Sequence, residues 1–262
     1  MKSSNTDYGA RAAYYDFEFN DMSDRDLLQS LVQDETKAIL EIPCGSGRNV
    51  EWLAQTGVSV TFGDLSEKMV GIVDSKIIRL PFPHKVRSKR MDMLNHTHEE
   101  RFDLILVPRE GLQLLRREDL PQALISFKHD LSGNGLLYLD VAVLDMTRVA
   151  NPNKLPRYIS EQNTSLVLDI DHTSDTTHFT RRHSSILQNG YLEVEYEYTI
   201  VEQGILRKYS SHVSLAQYNH AELLQVFDEI GLIPVDLYGS YDKTPYSEAS
   251  ERIICILKHS HE

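Results

Sequence analysis

Short apolar runs alternate with amphipathic segments along the first part of the chain. The run Ala38–Ile42 is followed by a glycine-containing turn and then by apolar positions at helical spacing, which stop at Gly57. Val58, Val60 and Phe62 then alternate as in a strand, and Ser66 can cap the helix that follows. This order predicts a strand, a turn and a helix, followed by a second strand and helix.

The same pattern continues to about position 145. A short third strand is predicted to end near Asp92, and the mainly apolar run Phe102–Val107 is typical of a buried parallel strand, the fourth. Asp119–Leu131 has apolar residues at helical spacing, and we expect the small and polar segment Ser132–Gly135 to end that helix before a fifth strand at Leu136–Val143. Strands that alternate with helices predict a doubly wound, mostly parallel α/β sheet.

After position 151 the pattern becomes rich in strands. Apolar and polar residues alternate through 191–200, which predicts a half-buried antiparallel strand. The pairs Asn189-Gly190 and Gln203-Gly204 are typical of tight hairpin turns. We therefore predict an antiparallel insertion that follows the fifth strand.

The last part of the chain returns to a helix and two strands. Asn219–Ile230 has helical spacing, a capping-box arrangement of Asn219 with Glu222, and Gly231 just beyond its end. Ile233–Tyr238 and Arg252–Leu257 are predicted to pair as the final strands. They bring the expected sheet to seven strands.

These segments divide the chain into four parts. We predict an N-terminal helical segment at 1–36, an α/β core at 37–150, an antiparallel β insertion at 151–215, and a last helix with two strands at 216–262 that complete the core. The length of 262 residues fits one decorated α/β domain.

Composition and charge exclude several classes of protein. The net charge of −12 opposes binding to nucleic-acid backbones and to anionic membranes, so we expect neither partner. The chain has no apolar run near the ~20 residues of a membrane span, and its start lacks the apolar stretch of a signal peptide. Two cysteines, Cys44 and Cys255, are too few for a metal cluster or a disulfide framework, so we expect no metal and a cytoplasmic location.

The candidate chemistry lies at the ends of the first two strands. Glu41 ends the first strand, Gly45 and Gly47 allow close approach of backbone to a ligand, and Asp64 ends the next strand, where it can accept hydrogen bonds from ribose hydroxyls. Position 50 is valine, so the third glycine of a dinucleotide motif is absent, and the Gly-Lys-Ser/Thr of a phosphate-binding loop is also missing. The pattern therefore indicates a nucleoside site.

These segments together resemble the motifs of the class I S-adenosylmethionine-dependent methyltransferases, over nearly the whole chain. Leu40–Arg48 resembles the first motif, whose turn contacts the methionine part of the cofactor. Gly63–Met69 resembles the second, with its acid on the ribose, and Met91–Met93 the third, with its acid at the adenine amino group. Tyr14-Tyr15-Asp16 resembles an aromatic pair that many members place over the cofactor.

The C-terminal part adds to this likeness. Tyr238–Asp242 and Ser250–Arg252 resemble the closing segment of a large bacterial subgroup. One position departs from the family pattern, because Pro43 stands where many relatives have glycine and removes one amide donor.

The resemblance implies a Rossmann-like fold, S-adenosylmethionine as cofactor, and a set of cofactor-binding residues. The expected cofactor-binding residues are Tyr14, Tyr15, Glu41, Pro43, Gly45, Gly47, Arg48, Asp64, Leu65, Met69, Asp92, Met93 and Pro108.

Methyl transfer from a sulfonium requires alignment of the acceptor and exclusion of water, and it needs a base only when the acceptor has a high pKa. In this fold the insertion usually forms a lid over the acceptor pocket. The expected catalytic residues are Arg109, Gln113, Tyr158 and His183, with Glu110 and Tyr196 as further candidates.

The resemblance implies a methyltransferase that acts on a small molecule held between the core and the insertion. Two alternatives keep the cofactor: an enzyme that cyclises or cleaves the sulfonium and releases methylthioadenosine, and a catalytically silent binding protein. Methylation of RNA is a weaker alternative because of the charge. The sequence leaves the acceptor, its reacting atom and the oligomeric state open.

Overall fold

The computed structural model describes residues 11–81, 83–95, 100–144 and 163–260. These residues form a seven-stranded sheet with helices on both faces and a separate four-stranded antiparallel sheet. The smaller sheet is inserted between the fifth strand and the last helix. The predicted Rossmann-like fold with an antiparallel insertion is confirmed.

Both sheets and the helices follow the predicted order. The strands of the large sheet are β1 Ala38–Glu41, β2 Ser59–Asp64, β3 Val86–Arg90, β4 Phe102–Val107, β5 Leu131–Ala142, β10 Leu232–Tyr238 and β11 Arg252–His259. The strands of the insertion are β6 Asn163–Thr173, β7 Thr177–Gln188, β8 Tyr191–Glu202 and β9 Ile205–Ala216. The α-helices are α1 Tyr15–Glu18, α2 Arg25–Ser30, α3 Val50–Gln55, α4 Glu67–Ile77, α5 Leu120–Asp130 and α6 His220–Ile230. Short 3₁₀ turns cover Arg11–Tyr14, Pro83–Lys85, Gly111–Leu114 and Arg117–Asp119. Within the described ranges, no helix has the length and apolar character needed to cross a membrane.

The strand order of the large sheet fixes the position of a ligand crevice. The order is β10-β11-β5-β4-β1-β2-β3, with β1 to β5 parallel and β11 antiparallel to both of its neighbours. The direction of winding reverses between β1 and β4. The connections that follow β1 and β4 therefore run toward opposite faces of the sheet. This leaves a crevice at the carboxyl ends of the two strands.

Two apolar cores separate the sheet from its helices, as both faces of a parallel sheet require. On one face Trp52 and Val73, from α3 and α4, pack against the sheet. On the other face Phe127 and Phe227, from α5 and α6, do the same. All four side chains are buried.

The fifth strand begins earlier than the sequence predicts. Residue 131 already has extended backbone, so the helix passes directly into the strand and Ser132–Gly135 lies within β5. A side chain at Gly135 would bring its Cβ to 2.8 Å from the carbonyl oxygen of Phe102. The glycine therefore serves close packing at a register shift between β4 and β5, and it does not end the helix.

The insertion follows the predicted alternation closely. The apolar side chains of β8 form the inner face of the sheet and are almost completely buried; they are Leu192, Val194, Tyr196, Tyr198 and Ile200. Asn189, Gly190, Gln203 and Gly204 all have positive φ, as two-residue hairpin turns require. The predicted capping box of α6 is present as well, with reciprocal hydrogen bonds between Asn219 and Glu222.

Gln113 joins the two ends of the insertion. Its Nε2 donates to the carbonyl oxygens of Ala142 (3.2 Å) and Ala216 (2.9 Å), and its Oε1 accepts from the amide of Ala142 (2.8 Å). Ala142 ends β5 and Ala216 ends β9, so one buried side chain connects the strand that leads into the insertion with the strand that leads out.

We predict that Gln113→Ala lowers the free energy of unfolding by about 2–4 kcal/mol, because buried backbone groups of Ala142 and Ala216 lose their partners. Chemical denaturation measures this change. Gln225→Ala, on the exposed face of α6, is the matched control and should alter stability little. An equal effect of the two substitutions would contradict the structural role of Gln113.

Candidate active site

A cavity of about 700 Å³ opens at the carboxyl ends of the central strands, at the crevice between β1 and β4. Several parts of the chain line it: residues 15–23, the ends of β1 and β2 with the turn after β1, the segment 108–114 after β4, residues 142–143 at the end of β5, and the loop 239–252 that joins β10 to β11. Among the described residues, none from the four strands of the insertion lines this cavity.

The turn after β1 forms the floor of the cavity. The peptide bond between Ile42 and Pro43 is cis, and Gly45 and Gly47 both have positive φ. A Cβ at Gly45 would lie 3.2 Å from the ring of Tyr15, so the missing side chain keeps the cavity open there.

Gly47 has a different role, because a Cβ there would lie 2.7 Å from Val50 and 2.9 Å from Val73. This glycine allows α3 and α4 to pack against the turn, and it does not line the cavity.

Asp64, at the end of β2, is fixed by two backbone amides. Gly45 donates to its Oδ2 (2.9 Å) and Ser66 to its Oδ1 (2.8 Å), while Ser66 itself caps α4 as predicted. Burial raises the pKa of Asp64, and the two amides oppose that shift. A carboxylate has about four lone-pair positions, so it can still accept two hydroxyl donors from the cavity.

Glu41 is a buried carboxyl group that lines the same cavity. Asn49 donates to its Oε2 (3.0 Å), and Trp52 in turn donates to the amide oxygen of Asn49 (2.8 Å). Burial raises the pKa of Glu41 to about 7, with the positive charge of Arg48 opposing the shift. A cationic ligand group beside Glu41 would therefore favour its ionised form.

Arg48 and Arg109 hold the N-terminal segment against the site. Arg48 makes a bidentate ion pair with the buried Asp24, with a distance of 2.7 Å between Nη1 and Oδ1. Nη2 of Arg109 donates to Asp21 (2.9 Å) and Ser23 (3.0 Å). Both guanidinium groups line the cavity, but they are already bound to carboxylates and act as anchors of its wall.

The structure separates the predicted aromatic pair. Tyr15 lines the cavity above Gly45, whereas Tyr14 is buried against the insertion, stacked on Phe179 with ring centres 6.0 Å apart. Tyr14 ends the 3₁₀ turn and Tyr15 begins α1, and successive residues of such helical turns point in different directions.

A network of charged and polar groups lies where β4, β5 and β11 meet. Arg252 donates from Nε to Asp140 (2.7 Å) and from Nη2 to Glu110. Tyr241 also donates to Asp140 (2.9 Å), and the guanidinium of Arg109 lies over its ring at 5.0 Å. Within the network, Glu110, Tyr241 and Arg252 line the cavity.

Sequence reasoning assigned no site role to Asp140, Tyr241 or Arg252. Two of them stand in the segments Tyr238–Asp242 and Ser250–Arg252, which resemble a closing segment of the family. That likeness could have indicated a site role for Tyr241 and Arg252. Their buried partner Asp140 lies inside a strand and belongs to no motif.

Several expected site residues lie elsewhere. The catalytic role expected of Gln113 does not fit its position, since its side chain is bound to Ala142 and Ala216. His183 and Tyr196 are buried in the insertion, with His183 Nδ1 3.2 Å from Asp169, and do not line the cavity. Tyr158 lies outside the described residues.

The residues expected at the adenine end follow β2 and β3 at the same edge of the sheet. Leu65 is 55% exposed, and Met69 is buried in the core. Asp92 accepts from the amide of Leu94 (3.0 Å), and Met93 packs on the apolar core. None of the four lines the cavity, so their contact with adenine stays a prediction. Pro108, by contrast, lies on the cavity wall.

Cys44 lines the cavity between the two acids. Burial and the neighbouring Asp64 and Glu41 raise the pKa of its thiol well above the ordinary value. The thiolate, which is the nucleophilic form, is therefore disfavoured, and Cys44 packs as a neutral side chain.

Comparison with known proteins agrees with this geometry. Residues 39–135 match the model of a methyltransferase domain family. A protein of Geobacillus sp. (strain WCH70) that carries a methyltransferase name is 25% identical over 263 residues, which cover 96% of this chain and 99% of that protein.

Solved structures share the fold over nearly the full length. An S-adenosylmethionine-dependent methyltransferase from Clostridium acetobutylicum ATCC 824 has a TM-score of 0.76 at 16% identity, covering 97% of this chain and 99% of that one. The SAM-bound amino pentose methyltransferase CalS10 from Micromonospora echinaspora has a TM-score of 0.69 at 16% identity, covering 98% and 100%. Residues 39–135 thus match a methyltransferase domain family, and the fold over nearly the whole chain is that of S-adenosylmethionine-dependent methyltransferases of known structure.

Proposed function

We propose that this enzyme transfers the methyl group of S-adenosylmethionine to a small molecule bound in the same cavity. The observation that carries the proposal is the continuity of the cavity, which runs from Asp64 and Glu41 past the turn after β1 to Glu110 and Arg252. Its volume of about 700 Å³ lies within the range of small-molecule sites. We also propose a cytoplasmic location, which the two free, buried cysteines support.

The chain's own residues fit the cofactor. Asp64 has acceptor positions left for the ribose hydroxyls, and Glu41 offers a carboxylate to the α-ammonium group. Gly45 leaves room at the turn, and Tyr15 covers it. When bound, S-adenosylmethionine supplies a methyl group on a sulfonium, which is already activated for transfer.

Residues of the N-terminal segment limit access of water. Asp16 accepts a hydrogen bond from Ser46 (2.5 Å) in the cofactor turn, and Arg109 holds Asp21 from the other side of the cavity. Exclusion of water and a fixed approach line are what the transfer of a sulfonium methyl requires of a protein.

We place the acceptor between the core, the N-terminal segment and the loop 239–252. The sequence placed the lid in the insertion, at 151–215. The described insertion strands act indirectly, because Arg181 (2.7 Å) and the hydroxyl of Tyr198 (3.1 Å) both bind Glu18 of α1, which does line the cavity. The insertion thus supports the short helix that covers the site.

Two other functions have less support. A catalytically silent binder or an enzyme that only cleaves the sulfonium has no use for the part of the cavity beyond Glu41, which reaches Arg252. A net charge of −12 opposes RNA as acceptor.

S-adenosylhomocysteine should stabilise the wild-type protein, and Asp64→Ala should lose most of this effect. Loss of two hydrogen bonds to a carboxylate is expected to weaken binding by about 10- to 100-fold or more. Differential scanning fluorimetry with and without the ligand measures the shift in melting temperature. Asp228→Ala, on the exposed face of α6, should keep the full shift. A wild-type protein that shows no shift contradicts the proposal.

Affinity for S-adenosylhomocysteine should fall as the pH falls. Because the pKa of Glu41 is about 7 without ligand, the carboxylate that binds the α-ammonium becomes protonated below neutrality. From pH 8 to pH 6 we expect a loss of about tenfold, which follows from linkage for one such group. Calorimetric titration measures it, and Glu41→Gln should remove the dependence. The same raised pKa makes the stability of the ligand-free protein fall as pH rises through about 7.

Incubation with S-adenosylmethionine alone separates transfer from cleavage. We expect no methylthioadenosine by mass spectrometry, because the transfer needs an acceptor in the second half of the cavity. Formation of methylthioadenosine without any acceptor would favour the cleavage or cyclisation of the sulfonium instead.

A further inference from the structure

Glu110 occupies the side of the cavity where an acceptor must approach. Asp64 ends β2, Glu41 ends β1, and Glu110 follows β4, and these three strands are neighbours in that order. A cofactor with its ribose at Asp64 and its ammonium at Glu41 therefore has Glu110 on the far side, one strand beyond β1. Neighbouring strands lie about 4.8 Å apart, so Glu110 borders the cavity beside the turn after β1 that would hold the methionine part of the cofactor.

The backbone that presents Glu110 is strained. Arg109 (φ 51°) and Glu110 (φ 60°) are consecutive residues in the left-handed region, although neither is glycine. Asp140 holds both: its carboxylate accepts from the amide of Arg109 (3.1 Å) and its carbonyl from the amide of Glu110 (3.2 Å). Strain that the surroundings maintain in this way is typical of positions that serve function.

The side chain of Glu110 is fixed at one end and available at the other. Arg252, itself bound to Asp140, donates to Oε1 of Glu110. Among the described residues, no donor lies within hydrogen-bond distance of Oε2. The residue is buried from bulk water but lines the cavity, so we take Oε2 to be the oxygen that a ligand in the cavity can reach.

The wall of the cavity is acidic overall. Among the described residues it carries six carboxyl groups but only three guanidinium groups and no lysine; the acids are Glu18, Asp21, Glu41, Asp64, Glu110 and Glu251. All three arginines are paired with carboxylates, and Glu18 is itself paired with Arg11 and Arg181, which do not line the cavity. Such a wall favours ligands that are cationic or become so during the reaction.

We propose that the acceptor is an amine and that Glu110 orients it, by accepting a hydrogen bond from its N–H and by stabilising the positive charge that forms on its nitrogen. This inference rests on the proposed methyl transfer and adds the class of acceptor. Glu110 is thereby the specificity-determining residue of the acceptor half of the cavity.

The charge balance of the reaction agrees with this assignment. The nitrogen lone pair forms the new N–C bond while the C–S bond breaks, and the electron pair of that bond stays on sulfur. Sulfur becomes a neutral thioether, and the positive charge appears on nitrogen beside Glu110, before a proton leaves to water. Fixed charges aimed at charge that develops in the transition state are an effective means of catalysis.

An alcohol fits the site less well. Its oxygen must lose a proton during transfer, and a carboxylate is a weak base for a group of such high pKa. A neutral amine needs no base before it reacts.

The binding ratio of two cofactor analogues tests the proposal. Sinefungin carries a protonated amine nitrogen where S-adenosylmethionine has its methyl carbon, and S-adenosylhomocysteine has neither nitrogen nor methyl. By calorimetric titration, we expect wild-type protein to bind sinefungin at least about tenfold more tightly, as a charge-assisted hydrogen bond provides. Glu110→Gln should bring the ratio near one and leave the affinity for S-adenosylhomocysteine within about twofold.

Two further variants make the outcome unambiguous. Glu118→Gln removes an exposed carboxylate of the same segment, paired with Arg116, and should keep the wild-type ratio. Glu110→Asp keeps the charge but withdraws it from the cavity, so it should give an intermediate ratio. This variant also tests the proposal if Glu110→Gln fails to fold.

A ratio near one in the wild type, or an unchanged ratio in the Glu110 variants, overturns the assignment of Glu110. Failure of the wild-type protein to bind S-adenosylhomocysteine overturns instead the proposed function on which this assignment rests.

Discussion

The strand order of the large sheet reverses between β1 and β4, and the whole site depends on this reversal. Connections on either side of it leave toward opposite faces, so the carboxyl ends of the central strands are not covered by their own helices. The two acids that follow β1 and β2 and the strained turn that follows β4 all border the gap. The N-terminal segment and the loop 239–252 cover this gap.

Buried ion pairs attach the N-terminal segment and the loop 239–252 to the core. Asp24 brings the N-terminal segment onto Arg48, and Asp140 brings the C-terminal loop onto the core through Arg252 and Tyr241. Each pair spans a large separation in sequence, and removal of one partner would leave a buried charge uncompensated. The arginines of this cavity thus hold its walls together through their ion pairs.

The sequence predicted local features well where the responsible physics is local. The cap at Ser66, the capping box of Asn219 and the hairpin turns at Asn189 and Gln203 depend on residues within four positions of one another. The acids at strand ends were also found, because a carboxyl terminus of a parallel strand is a ligand edge in any doubly wound sheet.

The sequence did not predict in which direction the side chains of the candidate catalytic residues point. Gln113 and Arg109 both follow β4, yet one is buried between the ends of the insertion and the other lines the cavity. His183 carries a side chain suited to catalysis but lies in the core of the insertion, against Asp169. Spacing along a chain of turns and short helices does not specify which way a side chain points.

By itself the sequence determined the class of fold, the succession of strands and helices along the chain and the glycine-containing turn after β1, because periodicity, turn chemistry and motif spacing are properties of neighbouring residues. Tertiary structure alone decided the network of charged and polar groups that borders the cavity. Its members Glu110, Asp140, Tyr241 and Arg252 are more than a hundred positions apart at the extremes, and only the pairing of β11 with β5 brings them together. Charges so distant in sequence acquire a common role only when burial makes their interaction strong.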